Sequence, residues 1–265
     1  MPFPEVKRVI YKKNPLDQVV CQLRFPPILK IDSEVPADFQ DRLRSDYPNL
    51  SEASLFNVQV PKGVDASSIP LEFVKQMVQS SGNKNYEFSS EDGQWKVNLT
   101  RSFIALTANK YKRWEEFRDK LVGLLGKLVD IYSPAYYTRI GLRYIDVIRR
   151  SVLGLSDINW NDLLTPYILG VMGSPDVGND VQSHESSYEI NLSDEKSIVR
   201  MITKLVKAAN DSEECFMIDS DFYNSNKIEI SAAIEKLDYF NSRATRLIQW
   251  CITDRLHKAM EPQVI

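Results

Sequence analysis

Residues 139–146 read Arg-Ile-Gly-Leu-Arg-Tyr-Ile-Asp, a pattern that predicts a β-strand. Side chains alternate between the two faces of a strand, so Arg139, Gly141 and Arg143 share one face. Each guanidinium offers a planar fork of donors that suits a phosphate or a carboxylate, and Gly141 would let a ligand or another backbone approach closely. The stretch therefore predicts either an anion- or partner-binding site that includes Arg139, Arg143 and Tyr144, or a structural ion-pair site.

A pair of aspartates later in the chain is the natural counterpart of these arginines. Asp219 and Asp221 alternate with apolar Ile218 and Phe222, so their carboxylates share one face of a predicted strand. Such a pair suits magnesium or manganese, but a metal enzyme usually needs a third ligand, and the sequence offers no firmly placed candidate beyond Glu214 or Glu229. The other interpretation is that the two aspartates are counterions of the two arginines across a sheet.

The first half of the chain, residues 1–150, predicts strands interrupted by two helices. Alternating apolar residues indicate a strand with one buried face from Val19 to Phe25. A long helix begins at Trp114 and ends before Pro134. The other predicted elements are a short helix at 36–47, a loop at 61–68, and strands at 55–60, 71–78, 86–90, 95–100, 104–106 and 136–148, with a turn at 91–93 and a tight turn or a bulge at 101–102.

The second half, residues 151–265, resembles a shorter version of the first. It predicts a helix at 161–171, strands at 181–192, 198–206 and 215–222, and one long uninterrupted helix from Ile230 to Met260. The order of helix, strands and long helix occurs twice. We therefore expect an α+β fold of two similarly organised lobes, 1–150 and 151–265, with mostly antiparallel sheets and two long helices packed on them.

Composition excludes several classes of protein. The chain is 43% hydrophobic and 26% charged, which is ordinary for a globular domain, and no run approaches the roughly 18 apolar residues that span a bilayer. The first residues lack the pattern of a secretory signal, so we expect a cytoplasmic protein with no membrane partner. Three widely spaced cysteines and two distant histidines predict reduced core thiols and no zinc site, and no cofactor is expected.

Charge is distributed unevenly along the chain. Residues 1–150 carry 23 Lys plus Arg against 18 Asp plus Glu, whereas residues 151–265 carry 10 against 18. Such a split can steer a charged partner, hold two lobes together or promote self-association, or it can be scattered over solvated faces.

One basic segment raises the possibility of nucleic-acid binding. Lys110, Lys112 and Arg113 interleave with Tyr111 and Trp114, a combination that can meet phosphates and stack on bases. The alternative is that the two aromatic residues anchor the start of the long helix in the core. The net charge of −3 disfavours a dedicated nucleic-acid protein.

Several stretches together resemble a sporadically distributed family of uncharacterised bacterial and archaeal proteins. They are Tyr11–Phe25 (YKKNPLDQVVCQLRF), Tyr111 with Trp114–Phe117, RIGLRYID, Ile218–Asp221, and Phe240–Pro262 with its Ile252-Thr253-Asp254. Members often carry a histidine near Tyr239 or Phe240, and this chain has none there. Their patchy occurrence resembles that of genes on mobile elements or in defence loci. The resemblance therefore implies work with a neighbouring gene product.

The function expected from these observations is non-enzymatic interaction or ligand binding, with a protein partner or a second copy of the chain. No Gly-x-Ser-x-Gly elbow, Walker loop or Gly-x-Gly-x-x-Gly turn is present, which favours a protein without catalytic activity. One alternative is a phosphate-handling, metal-dependent enzyme, which requires both arginines and both aspartates to converge on one open cleft. The other alternative is nucleic-acid binding.

Overall fold

The computed structural model describes residues 2–52 and 84–264. The predicted strands at 55–60 and 71–78 and the predicted loop at 61–68 lie outside these ranges. The strands are β1 Val9–Tyr11, β2 Leu16–Arg24, β3 Asn49–Glu52, β4 Tyr86–Ser89, β5 Trp95–Thr100, β6 Phe103–Ala108, β7 Arg139–Ile148, β8 Glu185–Asn191, β9 Ile198–Lys207, β10 Glu214–Asn224 and β11 Pro262–Val264. The α-helices are α1 Leu29–Ser33, α2 Ala37–Leu43, α3 Trp114–Tyr132, α4 Pro166–Leu169, α5 Ala233–Cys251 and α6 Asp254–Ala259.

Strand β7, which contains residues 139–146, lies in the interior of a nine-stranded sheet. The strand order is β3-β4-β5-β6-β2-β7-β10-β9-β8, and every neighbouring pair is antiparallel. β7 pairs with β2 on one side and with β10 on the other, so strands from both halves of the chain form one sheet. The fold is therefore α+β with a large antiparallel sheet and several helices.

The helices pack on one face of this sheet, which we call the helix face. Even-numbered residues of β7 point to it, because Ile140, Leu142 and Ile148 share one core with apolar residues of α3 and α5. Each such side chain stabilises the fold by about 1.5–3 kcal/mol when it leaves water. Odd-numbered residues of β7 point to the opposite face, where Ile145 belongs to a second, smaller cluster with Cys215 and Met217.

Helix α3 follows from the spacing of its apolar residues. Phe117, Leu121, Leu124 and Leu128 recur at intervals of three and four and are all buried. The helix ends at Tyr132, followed by Ser133 in the left-handed conformation, with Pro134 next. Like α3, α5 has 19 residues.

The prediction of one uninterrupted helix from 230 to 260 is wrong. A 3-10 turn precedes α5, and the helix stops at Cys251 because Ile252 is extended and forms a β-bridge with Leu164. Thr253 then caps a separate helix, α6, by accepting a hydrogen bond from the backbone N–H of Leu256. Thr253-Asp254 is a usual helix start. The apolar residues of α5 nevertheless continue with helical spacing beyond it, so periodicity alone does not reveal the break.

Two other predicted elements in the second half are shorter than expected. The segment 161–171 forms a 3-10 turn at 160–162 and then the single turn α4, which starts at Pro166 and ends at Gly170, where φ is +54°. The strand predicted at 181–192 begins only at Glu185. By contrast, the β4–β5 hairpin and the turn at 101–102 are confirmed.

The two ends of the described chain meet outside the main sheet. β1 and β11 pair antiparallel, with Ile10 opposite Gln263 and Tyr11 opposite Pro262. This two-stranded ribbon fixes Tyr11 beside α6, where its hydroxyl lies 2.7 Å from Nδ1 of His257. No helix in residues 2–52 and 84–264 is long and apolar enough to cross a membrane.

Candidate functional site

Arg139 and Arg143, on the face away from the helices, are both in ion pairs. Arg139 Nη2 donates to Asp221 Oδ2 at 2.7 Å, and Arg143 Nε donates to Asp219 Oδ1 at 2.6 Å, with a second contact from Arg143 Nη2 to Asp219 Oδ2. The four side chains are between 4% and 12% exposed. The geometry favours the interpretation of the two aspartates as counterions, and we do not propose an open phosphate site here.

Gly141 has a steric reason to lack a side chain. The guanidinium of Arg139 lies across it, and a Cβ on residue 141 would collide with this group. Arg139 is held there by Asp221 and by the ring of Tyr223, whose centroid lies 4.9 Å from the guanidinium carbon. The glycine between the arginines thus makes room for the arginine two residues before it.

The aspartate pair has no third carboxylate or other usual ligand beside it in the described parts of the chain. No group of three His, Cys, Asp or Glu side chains there could hold a metal ion. Cys21, Cys215 and Cys251 are buried and form no disulfide. Burial raises the pKa of the Cys215 thiol to about 11, so this sulfur is not a thiolate near neutral pH.

The basic segment before α3 is divided between surface and core. Lys110, Lys112 and Arg113 are exposed, whereas Trp114 is buried and donates from Nε1 to Asp238 Oδ1 at 2.7 Å. Tyr111 packs edge-on against Tyr144, with ring centroids 6.1 Å apart. The aromatic residues therefore anchor the helix start, as one of the two interpretations expected.

Tyr144 lies on the helix face, opposite the two arginines with which the sequence groups it. There it borders a cleft between β1, the start of α3, and α5, which we call the helix-side cleft. It spans about 750 Å³ when open solvent at its mouth is included, and the space open to the centre of a water molecule is about 100 Å³. The residues that define its chemistry are Arg8, Tyr11, Tyr111, Lys112, Arg113, Trp114, Tyr144, Asp146, Ser220 and Asn241.

Asp146 lies on the inner wall of this cleft. Its residue is 7% exposed, and within the described residues its carboxylate has no hydrogen bond and no ion pair. Desolvation, with a smaller contribution from the negative charge of Asp219, raises the pKa of Asp146 to about 7. A carboxylate in such a position is costly without donors, and because Asp146 lines the cleft, a donor within the cleft can reach it.

The backbone next to Asp146 is irregular. Leu16 of β2 pairs with Asp146, whereas Gln18 pairs with Ile145, so Asp17 is an extra residue in β2. Such a bulge bends a strand and is common beside functional sites. Here it lies where β2 leaves the N-terminal segment that forms one side of the helix-side cleft.

Two tyrosine hydroxyls that line the cleft with Asp146 are hydrogen-bonded to other residues. Tyr144 donates its hydroxyl hydrogen to Asn241 Oδ1 at 3.0 Å, and the Tyr11 hydroxyl is paired with His257. Burial raises the pKa of both tyrosines, and both hydroxyls therefore stay protonated near neutral pH. Neither tyrosine hydroxyl is hydrogen-bonded to Asp146.

The mouth of the cleft is basic. Arg8 and Arg113 both pair with Glu115, at 2.6 and 2.8 Å, so that two positive charges share one carboxylate. The hydrogen bond from Arg8 is the largest cause that lowers the pKa of Glu115 to about 2. Lys112 adds a further positive charge at the same edge.

The sequence groups Tyr144 with Arg139 and Arg143, but the structure places Tyr144 on the opposite face of β7 from the two arginines. The same alternation that places the arginines together places Tyr144 and Asp146 on the apolar face with Ile140 and Leu142. An acidic residue on the apolar face of a strand was the available signal. The rest of the cleft comes from segments far apart in the sequence.

Comparison with known proteins gives no family assignment. No protein-family model matches the chain, and no curated protein sequence is significantly similar to it.

Proposed function

We propose that this protein is a non-enzymatic, cytoplasmic ligand-binding protein and that the helix-side cleft is its binding site. The observation that carries the proposal is the Asp146 carboxylate, which is buried on the cleft wall without a donor. Ligand sites are concave, largely apolar and supplied with a few polar groups that fix the ligand. The helix-side cleft has this character, because tyrosine rings and aliphatic side chains line it together with Asp146, Ser220 and Asn241.

The carboxylate is the reason to favour a ligand over a purely structural role. Charged side chains that support a fold are normally paired, as Arg143 and Asp219 are on the other face of the same sheet. The carboxylate of Asp146 lies on the helix face of the same strand as Arg143. Because it has no such ion pair, it lowers the stability of the folded protein at neutral pH. A ligand with hydrogen-bond donors would recover this free energy on binding.

Binding is favoured over catalysis by the surroundings of Asp146. A general base needs a reacting group within hydrogen-bond reach and commonly a second group that orients it. Within residues 2–52 and 84–264, Asp146 is the only carboxyl group whose pKa is raised to near neutrality, and the neighbouring tyrosines hydrogen-bond to other residues. A single carboxylate of this kind is sufficient to recognise a ligand.

We also propose that the chain belongs to the sporadically distributed family that its sequence resembles, and that it acts with a protein partner or a second copy. The two halves are proposed to be related lobes. Supporting this, each half adds its own outer strands to the sheet next to β2 or β7, and each supplies a helix of 19 residues.

Thermal-shift measurements against a library of small polar metabolites test the proposed site. We expect at least one compound to raise the Tm of the wild type at pH 8, to do so much less for Asp146→Asn, and to be recovered chemically unchanged. The matched control is Asp130→Asn, which removes an exposed carboxylate near the far end of α3, paired with Arg42. Asp130 is about 24 Å along the helix from Trp114.

Three results would count against the proposal. Absence of any stabilising compound argues against a small-molecule site. Equal shifts in the wild type and Asp146→Asn place the site elsewhere. Conversion of the compound to a product replaces binding with catalysis.

A further inference from the structure

The helix-side cleft changes in chemical character from its inner wall to its mouth. The inner end presents the acceptor oxygens of Asp146 and the hydroxyl of buried Ser220. Aromatic rings border the middle, and cations surround the mouth. A ligand that matches all three zones needs donors at one end, a flat middle and a negative charge at the other end.

The inner end specifies the donors. A carboxylate is an acceptor with two oxygen atoms side by side, and both are without a donor in the described protein. Tyr144 donates its hydroxyl hydrogen to Asn241, and the Tyr11 hydroxyl is hydrogen-bonded to Nδ1 of His257 and not to Asp146. The best partner for two adjacent oxygens is an edge that carries two adjacent N–H groups.

The middle of the cleft specifies a flat, partly apolar group. Tyr11, Tyr111, Tyr144 and Trp114 all contribute to its lining. Trp114 and Tyr144 are only 5% and 6% exposed, so the rings that a ligand can reach are those of the half-buried Tyr11 and Tyr111. Such surfaces pack well against a planar heterocycle.

The mouth specifies an anion. Arg8, Arg113 and Lys112 carry three positive charges against the single negative charge of Glu115. The unbalanced cations attract phosphate or carboxylate at the opening. They also disfavour a simple organic amine, which would satisfy Asp146 but would be repelled at the mouth.

We propose that the ligand is a guanine nucleotide. This inference rests on the proposed function, because it assigns a ligand class to the same cleft. The Watson–Crick edge of guanine carries N1–H beside the exocyclic N2 amine, and these two donors match the two oxygens of Asp146. The purine packs against Tyr11 and Tyr111, and the phosphate extends to Arg8, Lys112 and Arg113. Adenine presents an acceptor at N1 and does not match.

Isothermal titration calorimetry of the full chain with GMP, GDP, guanosine, IMP, AMP and XMP tests this assignment. We expect GMP or GDP to bind the wild type most tightly. IMP, which lacks the exocyclic amine, should bind about 10- to 100-fold more weakly, because one hydrogen bond to a charged acceptor is lost. Guanosine, which lacks the phosphate, should also bind more weakly than GMP. Lys112→Met should reduce this difference in affinity between GMP and guanosine.

A variant that changes its preference from GMP to XMP must still be folded, because an unfolded protein would bind neither nucleotide. Asparagine replaces one acceptor by a donor, and xanthine replaces the exocyclic amine by an oxygen, so Asp146→Asn should bind XMP better than GMP. The wild type should prefer GMP, as should the control Asp130→Asn. If Asp146→Asn keeps the preference for GMP, Asp146 does not read the base and the assignment is wrong.

The outcomes separate this inference from the proposed function. If no guanine compound binds but another metabolite stabilises the wild type in a manner that depends on Asp146, the ligand class is wrong and the cleft remains the site. If neither guanine compounds nor any library compound binds, both proposals fail. If AMP binds as tightly as GMP, the cleft recognises phosphate and a flat ring without reading the base edge, which overturns the guanine assignment.

Discussion

Replacing Asp146 by asparagine should stabilise the protein, and the gain should depend strongly on pH. The structure raises the pKa of this carboxyl from 3.8 to about 7, because the group is buried without a donor. The folded state therefore holds its proton over a range in which the unfolded chain has released it. The folded protein therefore loses stability as the pH rises from the unfolded pKa of 3.8 to the folded pKa of about 7. Well below pH 3.8 the carboxyl group is protonated in both states and does not lower the stability.

The magnitude follows from the size of the shift. Each pKa unit corresponds to ~1.4 kcal/mol, so the carboxylate costs up to about 4 kcal/mol above neutral pH. Below about pH 4 both states are largely protonated, and the cost falls to less than ~1 kcal/mol. Asparagine has nearly the same shape and cannot ionise, so Asp146→Asn should show the gain near pH 8 and lose most of it near pH 4.

Urea unfolding of both proteins at the two pH values measures this difference. Titration of all other groups is common to both proteins and largely cancels in the comparison. Asp130→Asn is the control, because its exposed pair with Arg42 predicts a change below ~1 kcal/mol at either pH. Equal stability of wild type and Asp146→Asn near pH 8, or lower stability of the variant, would refute the description of Asp146 as a buried carboxylate without a partner.

Three further substitutions test other parts of the structure. Gly141→Ala should destabilise the protein by about 1–3 kcal/mol, because the added Cβ displaces a guanidinium held in an ion pair. Gly126→Ala, on the exposed side of α3, should instead stabilise it by up to ~1 kcal/mol. Similar changes in the free energy of urea unfolding for the two variants would contradict this prediction. Arg143→Met or Asp219→Asn alone should cost about 3–5 kcal/mol and the double variant clearly less than the sum, as a double-mutant cycle reports, whereas additive losses would mean that the pair is not coupled. Thr253→Ala should cost about 1 kcal/mol through loss of the α6 cap, as seen in the denaturation midpoint, and an unchanged midpoint would contradict the cap.

Local sequence patterns correctly predicted the elements in which the spacing of apolar residues, every second position in a strand or every third and fourth in a helix, is regular from end to end. The alternation in RIGLRYID gave the correct faces of β7, and the three-and-four spacing after Trp114 gave α3. The β4–β5 hairpin followed from its turn residues and flanking apolar alternation. In each of these, the local preference and the final packing agree.

The elements that the sequence did not predict depend on long-range contacts. The helix break at Ile252 is stabilised by a bridge to Leu164, nearly ninety positions earlier in the chain, and the apolar period alone continues through it. The helix-side cleft is assembled from residues near 8–16, 111–114, 144–146 and 241–249. Periodicity could place Asp146 on the apolar face, but only the pairing of β1 with β11 and the packing of α5 make that face a cleft.

The pKa of the Asp146 carboxyl, followed by carbon-13 NMR of the protein labelled at aspartate side chains, tests the central claim most directly. Asp146→Asn identifies the resonance. We predict that it titrates near 7 in the protein alone, as the structure indicates, and at a lower pH when GMP donates to it. A resonance that titrates near 4 without ligand would show that Asp146 is solvated or already paired, and would contradict its assignment as the recognition group of the cleft.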